Sequence, residues 1–130
     1  MTTLLIVDDY LPGLTALELL LENETYRIVT ARSGAEALRV LAERDVALIV
    51  TDQLMEDICG SELALRVRAG QRNRDAPIIL LSGVDATDEG IRMATALPAV
   101  TFVPKPVQGP WLQARVAELV HGGSGQRLIT

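Results

Sequence analysis

Five short apolar runs alternate with stretches of helical period along this chain, and that alternation restricts its fold more than any one motif does. The runs are Leu4–Val7, Tyr26–Ala31, Val46–Thr51, Ile78–Leu81 and Ala99–Val103, four to six residues each and rich in β-branched side chains. Such composition suits strands. The first run, "LLIV", has no polar alternation, as a strand covered on both faces of a sheet should read.

The intervening stretches carry helix signals. "PGLTALELLLEN" opens with Pro12, which suits a first helical turn, and sets Leu14, Leu17 and Leu21 on one face. "SGAEALRVLAE" begins with Ser33 and Glu36 in capping-box spacing and directs Leu38 and Leu41 inward. "GSELALRVRA", "ATDEGIRMATA" and "QGPWLQARVAELV" complete five helices, the last with Leu112, Val116 and Leu119 in one stripe. Strict alternation predicts an α/β fold: a (βα)5 doubly wound parallel five-stranded sheet, with right-handed crossovers and helices on both faces. With 130 residues and 48% hydrophobic composition, the chain is expected to form one domain over residues 1–121. "HGGSGQRLIT" loses all periodicity, so residues 122–130 are expected to be a flexible tail or truncated linker.

A formal net charge of −5 argues against direct nucleic-acid binding, which normally needs a basic face. Cys59 is the one cysteine, so no disulfide framework or cysteine metal cluster can be built, and a reducing compartment is expected. The apolar runs fall far short of a membrane span, and no basic segment with a hydrophobic core opens the chain. A cytoplasmic location is expected.

In open sheets of this type, ligands bind beyond the carboxyl ends of the strands, near the point where strand order reverses. Asp8 and Asp9 directly follow the first run, and Asp52 directly follows the third. In the common flavodoxin-like order, 2-1-3-4-5, the first and third strands are neighbours, so these three carboxylates are expected to converge. Ser82 follows the fourth run and Lys105 follows the fifth within "VPKP", which places a hydroxyl and an ammonium on the same rim. Three carboxylates against one ammonium leave a local charge of −2. A divalent cation would balance it, and an oxygen-only donor set suits Mg2+, which keeps waters and takes further ligands from phosphate. Taken singly, each residue has a plainer explanation: an acidic pair as a cap or turn, Ser82 as a cap, Lys105 as a loop charge, Phe102 as core. Their common register at successive strand ends is what sets them apart.

Together these residues resemble the receiver domain of the two-component response regulator family. The resemblance rests on the "DD" of Asp8 and Asp9, "TDQLM" around Asp52, Ser82 in "LLSG", Phe102, and the "KP" of Lys105 and Pro106, and it covers residues 3 to about 121. It implies Asp52 as phosphoacceptor, Asp8 and Asp9 holding Mg2+ directly or through water, and the Leu54 backbone carbonyl as a further ligand. It also implies that Lys105 pairs with the phosphoryl group, that Ser82 and Phe102 relay its arrival, and that the Lys105–Pro106 peptide is cis. A phosphoryl oxygen beside Ser82 would draw the segment Gly83–Thr87 toward Asp52 and open space for Phe102. The implied phosphodonor is a sensor histidine kinase or phosphotransfer protein. The implied reader is an output domain, a partner protein or a second copy in a homodimer, docked on the helix at 86–96, the fifth strand and the final helix. Such a chain is a signalling switch and not an enzyme. Its start at Met1, two residues before the first strand of the resemblance, implies an N-terminal position in its parent.

Two other classes share part of this pattern. A flavodoxin-like cofactor binder would want a hydroxyl- and glycine-rich phosphate loop where "DDYLPG" stands. An aspartyl-phosphate phosphatase or phosphotransferase would want a second acid two residues beyond the nucleophile, where Leu54 stands. The chain also departs from the receiver pattern. Glu56 replaces the usual proline, Tyr10 occupies an often polar or acidic position, Ser82 stands where threonine is commoner, and no Gly-Ala pair precedes the fifth strand. Trp111, Met93 and Cys59 are expected to serve packing, and His121 to lie on the surface without a partner.

Overall fold

The computed structural model describes residues 1–83 and 88–122, and strands and helices alternate throughout them. They are β1 (Thr2–Val7), α1 (Leu11–Leu21), β2 (Tyr26–Ala31), α2 (Gly34–Glu43), β3 (Leu48–Asp52), α3 (Gly60–Ala69), β4 (Ile78–Ser82), α4 (Glu89–Thr95), β5 (Val100–Pro104) and α5 (Gly109–Ala117), followed by a π-helical turn over Glu118–Gly122. The five strands form one parallel sheet in the order β2-β1-β3-β4-β5. This is the (βα)5 arrangement expected from the alternation, and its order reverses between β1 and β3. No helix among the described residues is long and apolar enough to cross a membrane. Of the segment Gly83–Thr87 only Gly83 lies within the described residues, and of the tail expected over 122–130 only Gly122 does.

Alternation along each buried strand feeds two cores. Leu4 and Ile6 of β1 pack with Leu14 and Leu21 of α1 and Leu112 and Val116 of α5. Leu5 and Val7 face the other way, toward Ala37 and Leu41 of α2, Leu63 of α3 and Ile91 of α4. Burying each large aliphatic side chain contributes roughly 1.5–3 kcal/mol, so the central strands are the most firmly held part of the molecule. Their carboxyl ends therefore make a rigid base for a site.

Element ends differ from the sequence reading where backbone polar groups find other partners. Val46 is buried, but its N–H goes to Asn73 Oδ1 at 2.8 Å, and β3 starts at Leu48 instead of Val46. Ala99 has φ 57, a left-handed conformation that no strand accommodates, so β5 begins at Val100. Helix α4 is shorter than its periodicity suggests, because the Asp88 carboxylate accepts the Ile91 N–H at 3.1 Å and caps the helix there. The capping box at α2 is offset: Ser33 Oγ accepts the Glu36 N–H at 3.0 Å, while Glu36 Oε1 accepts from Arg32, one residue before the cap. Trp111 and Met93 are not packing residues but 48% and 54% exposed. Cys59 is half-buried with Sγ 3.1 Å from Ser61 Oγ, and His121 stacks on Tyr26 with ring centroids 6.2 Å apart.

Candidate functional site

Strand register builds the rim. Val7 pairs with Thr51, so the next residues, Asp8 and Asp52, leave neighbouring strands side by side. Asp52 pairs with Leu81 and Ser82 with Pro104, which sets Ser82 one step beyond Asp52 and Lys105 one step beyond Pro104. Lys105 then reaches back over the end of β4. Its Nζ forms an ion pair with Asp52 Oδ1, and its main-chain N–H donates to the Ser82 carbonyl at 2.9 Å. The Asp52 side chain is only 10% exposed and that of Lys105 43%, so a nearly buried acid meets a base that still reaches solvent. The Lys105–Pro106 peptide bond is cis.

Close passage of the chain under Asp52 requires glycine. At Gly60, the first residue of α3, a Cβ would lie 2.4 Å from the Asp52 carbonyl oxygen and 2.6 Å from Leu80 Cδ1. The Gly60 N–H donates to the Gln53 carbonyl at 2.9 Å. Gln53 is buried as well: its Nε2 donates to Ser61 Oγ at 3.0 Å and its Oε1 accepts the Ser61 N–H at 2.7 Å. The amide thus replaces water for both groups and fixes α3 to the end of β3. Sequence reasoning missed Gln53. Its place directly after a strand-end acid was the one available signal, and hydropathy carries none.

Asp8 is buried, and its Oδ1 accepts the Tyr10 N–H at 3.0 Å. Burial raises its carboxyl above the usual range; the Tyr10 N–H opposes this, the Asp52 charge adds to it, Lys105 opposes it and Asp9 adds a little more. Asp9 Oδ2 accepts the Glu56 N–H at 3.0 Å. The neighbouring Asp57 accepts N–H bonds from Ala35 at 2.8 Å and Gly34 at 3.0 Å, and these bonds to the start of α2 hold its carboxyl below the usual range. The Leu54 side chain is exposed, Ser82 is buried, and Phe102 is partly buried against the α2–α3–α4 core. Phe102 pairs with Leu80, which makes it the diagonal neighbour of Ser82.

The structure therefore brings Asp8, Asp52 and Lys105 together and ties Asp9 to the loop after β3. No group of three or more His, Cys, Asp or Glu side chains that could hold a metal ion is present among the described residues. The donor chemistry nevertheless fits a hard cation. The available groups are carboxylate and carbonyl oxygens, and the charges of Asp52 and Asp9 on Asp8 mark an excess of negative charge that one ammonium does not cancel. An acid of this kind, nearly buried and backed by an ammonium at a strand end, can act as a nucleophile toward an electrophile that also needs charge neutralisation.

The family model of the response regulator receiver domain matches residues 4–117. The chain belongs to that family. The transcriptional regulatory protein AfsQ1 of Streptomyces coelicolor is 38% identical over 125 residues, covering 95% of this chain and 53% of its own length. The receiver thus spans about half the length of that relative. Its fold matches a CheY-like response regulator receiver domain protein from Methanospirillum hungatei JF-1 with a TM-score of 0.84, at 21% identity over 97% of this chain and 98% of the other. Response regulator protein TrrA from Thermotoga maritima, solved in complex with Mg2+–BeF, matches with a TM-score of 0.77 at 30% identity, over 92% of this receiver and 99% of TrrA. This is the receiver domain of a two-component response regulator.

Proposed function

We propose that the receiver takes a phosphoryl group onto Asp52 from the phosphohistidine of a sensor histidine kinase or phosphotransfer protein, in a Mg2+-dependent reaction. The Asp52–Lys105 ion pair beside the buried Asp8 carries this reading. A carboxylate oxygen of Asp52 attacks phosphorus in line, the P–N bond breaks, the imidazole leaves with the electron pair, and an acyl phosphate remains. Lys105 starts on Asp52 and transfers its ammonium to the phosphoryl oxygens as charge gathers there. Asp8, Asp9, Asp52 and the Leu54 carbonyl are the ligands assigned to Mg2+, which when bound neutralises the acidic rim and coordinates the phosphoryl group. TrrA, related at 30% identity and solved with Mg2+–BeF, supports that assignment.

Since the phosphoryl group stays on the protein and no separate substrate turns over, the receiver acts as a switch and not as an enzyme. Ser82 and Phe102 pass the change on to the surface of α4, β5 and α5. Met93 and Trp111, 54% and 48% exposed, give that surface large apolar groups for an output domain, a partner protein or a second copy to bury.

Incubation with acetyl phosphate and Mg2+ followed by intact-mass measurement tests the reading. A gain of one phosphoryl group is expected, suppressed by chelator and lost in Asp52→Ala. Uptake that persists in Asp52→Ala places the acceptor elsewhere.

A further inference from the structure

We propose that the hydrogen bond from the Glu56 main-chain N–H to the Asp9 carboxylate is a latch that keeps Asp9 out of the cation site, so that Mg2+ binding requires this bond to open. The inference rests on the reading of Asp8, Asp9 and Asp52 as cation ligands. The bond joins residues 47 positions apart at 3.0 Å, and its acceptor is charged, which places it among the stronger protein hydrogen bonds. The bond occupies Asp9 Oδ2.

The donor end of the latch is fixed in place. Asp57, the next residue, accepts from Gly34 at 3.0 Å and Ala35 at 2.8 Å. Ile58 then packs so tightly on α2 that a Cβ at Gly34 would lie 2.2 Å from its Cγ1. These contacts of the next two residues tie the Glu56 peptide to the start of α2. When Asp9 turns to a cation, the bond is broken instead of carried along, and its free energy is subtracted from binding.

Because the donor is main chain, the latch is separable from the Glu56 carboxylate, which is exposed and would attract a cation. Proline at this position removes the N–H. Alanine keeps the N–H and removes the charge.

Calorimetric Mg2+ titration of wild type, Glu56→Pro and Glu56→Ala, with amide NMR on the wild type, tests the latch. Glu56→Pro is expected to bind Mg2+ roughly tenfold more tightly, the scale of one charge-assisted hydrogen bond, and Glu56→Ala to bind equally or more weakly. In the wild type, saturating Mg2+ should speed hydrogen exchange at the Glu56 amide and leave Gly34 and Ala35 protected. Mg2+ binding with the Glu56 amide unmoved, or no gain in a folded Glu56→Pro, overturns the latch and leaves the cation site standing. Should Glu56→Pro fail to fold, the wild-type amide measurement decides. No Mg2+ binding by wild type at millimolar concentration overturns the ligand reading and the latch with it.

Discussion

Lys105 Nζ and Asp52 Oδ1 meet from strands that are not neighbours, because β4 ends between them and the Lys105 N–H is anchored on the Ser82 carbonyl at 2.9 Å. The anchor leaves the ammonium free to move while its backbone stays put. A charge that must follow a phosphoryl group over a few ångströms needs that combination. A lysine on a long loop would lack the fixed backbone, and a buried lysine the mobile ammonium.

Replacing Asp52 by Asn should therefore change its neighbour as well as abolish phosphoryl uptake. The Asp52 charge is one cause of the raised Asp8 carboxyl, so in the Mg2+-free Asp52→Asn protein Asp8 should titrate at lower pH than in wild type. Carbon-detected NMR of the Asp8 carboxyl measures it. An Asp8 titration that stays where it was would mean that the Asp52 charge does not act on it.

Asp8 itself should limit stability at neutral pH. Its carboxyl titrates higher in the folded state than its ordinary value of 3.8, so the protonated form favours folding. That contribution is fully present below the ordinary value and is lost as pH rises through the folded one. Asp8→Asn keeps an acceptor for the Tyr10 N–H and removes the buried charge. In chelator at pH 7 it should melt a few degrees above wild type, the scale of about 1 kcal/mol in a domain of this size. Below about pH 4 the two melting points should converge. A lower melting point for Asp8→Asn at pH 7 would show that the carboxylate is better satisfied than its burial implies.

Gly60→Ala should lower stability by roughly 1–3 kcal/mol, because the added carbon meets the Asp52 carbonyl, which the sheet holds in place. It should also slow phosphoryl uptake by displacing Asp52. Gly83→Ala is the control, since a Cβ at Gly83 has nothing within 4 Å, and denaturant melts should show it within about 0.5 kcal/mol of wild type. Equal losses at the two glycines would remove the steric explanation.

These contacts also mark what could be read from the residues alone. The strands and their order were legible because β1, β3 and β4 are covered on both faces, so runs such as "LLIV" stand out without any alternation. Asp8, Asp52, Ser82 and Lys105 were legible as a group because strand ends in a parallel sheet share one edge. Side-chain bonds to distant main chain were not. Asp57 to α2, Gln53 to Ser61 and Asp9 to Glu56 join loop residues whose pairing depends on how two turns meet, and no periodicity encodes that. The exposure of Trp111 and Met93 was misread for a related reason: a large apolar side chain favours burial without saying whether this chain or another covers it.

Ser82→Ala should separate phosphorylation from its consequence. Ser82 is 2% exposed at the end of β4, one register step from Asp52, and Phe102 lies diagonal to it on β5. A phosphoryl oxygen on Asp52 offers the Ser82 hydroxyl a charge-assisted hydrogen bond, stronger than a contact with a neutral group. Movement of Ser82 toward it would open room for Phe102, which is only partly buried against the core. Completing the burial of a phenyl ring contributes roughly 1.5–3 kcal/mol, enough to shift a two-state population by one to two decades. Alanine lacks the hydroxyl but leaves Asp52, Asp8 and Lys105 in place, so uptake from acetyl phosphate should persist within a few-fold of wild type. The response of α4 and β5 should then disappear. Amide hydrogen exchange with and without a beryllofluoride mimic of the phosphoryl group reads it: protection across residues 88–104 should change in wild type and stay constant in Ser82→Ala. A full response in Ser82→Ala would route the signal through Gln53 and Ser61 instead, whose buried bonds tie the end of β3 to α3, with Gly90 of α4 placed so that a Cβ there would lie 3.0 Å from Ser61 Oγ.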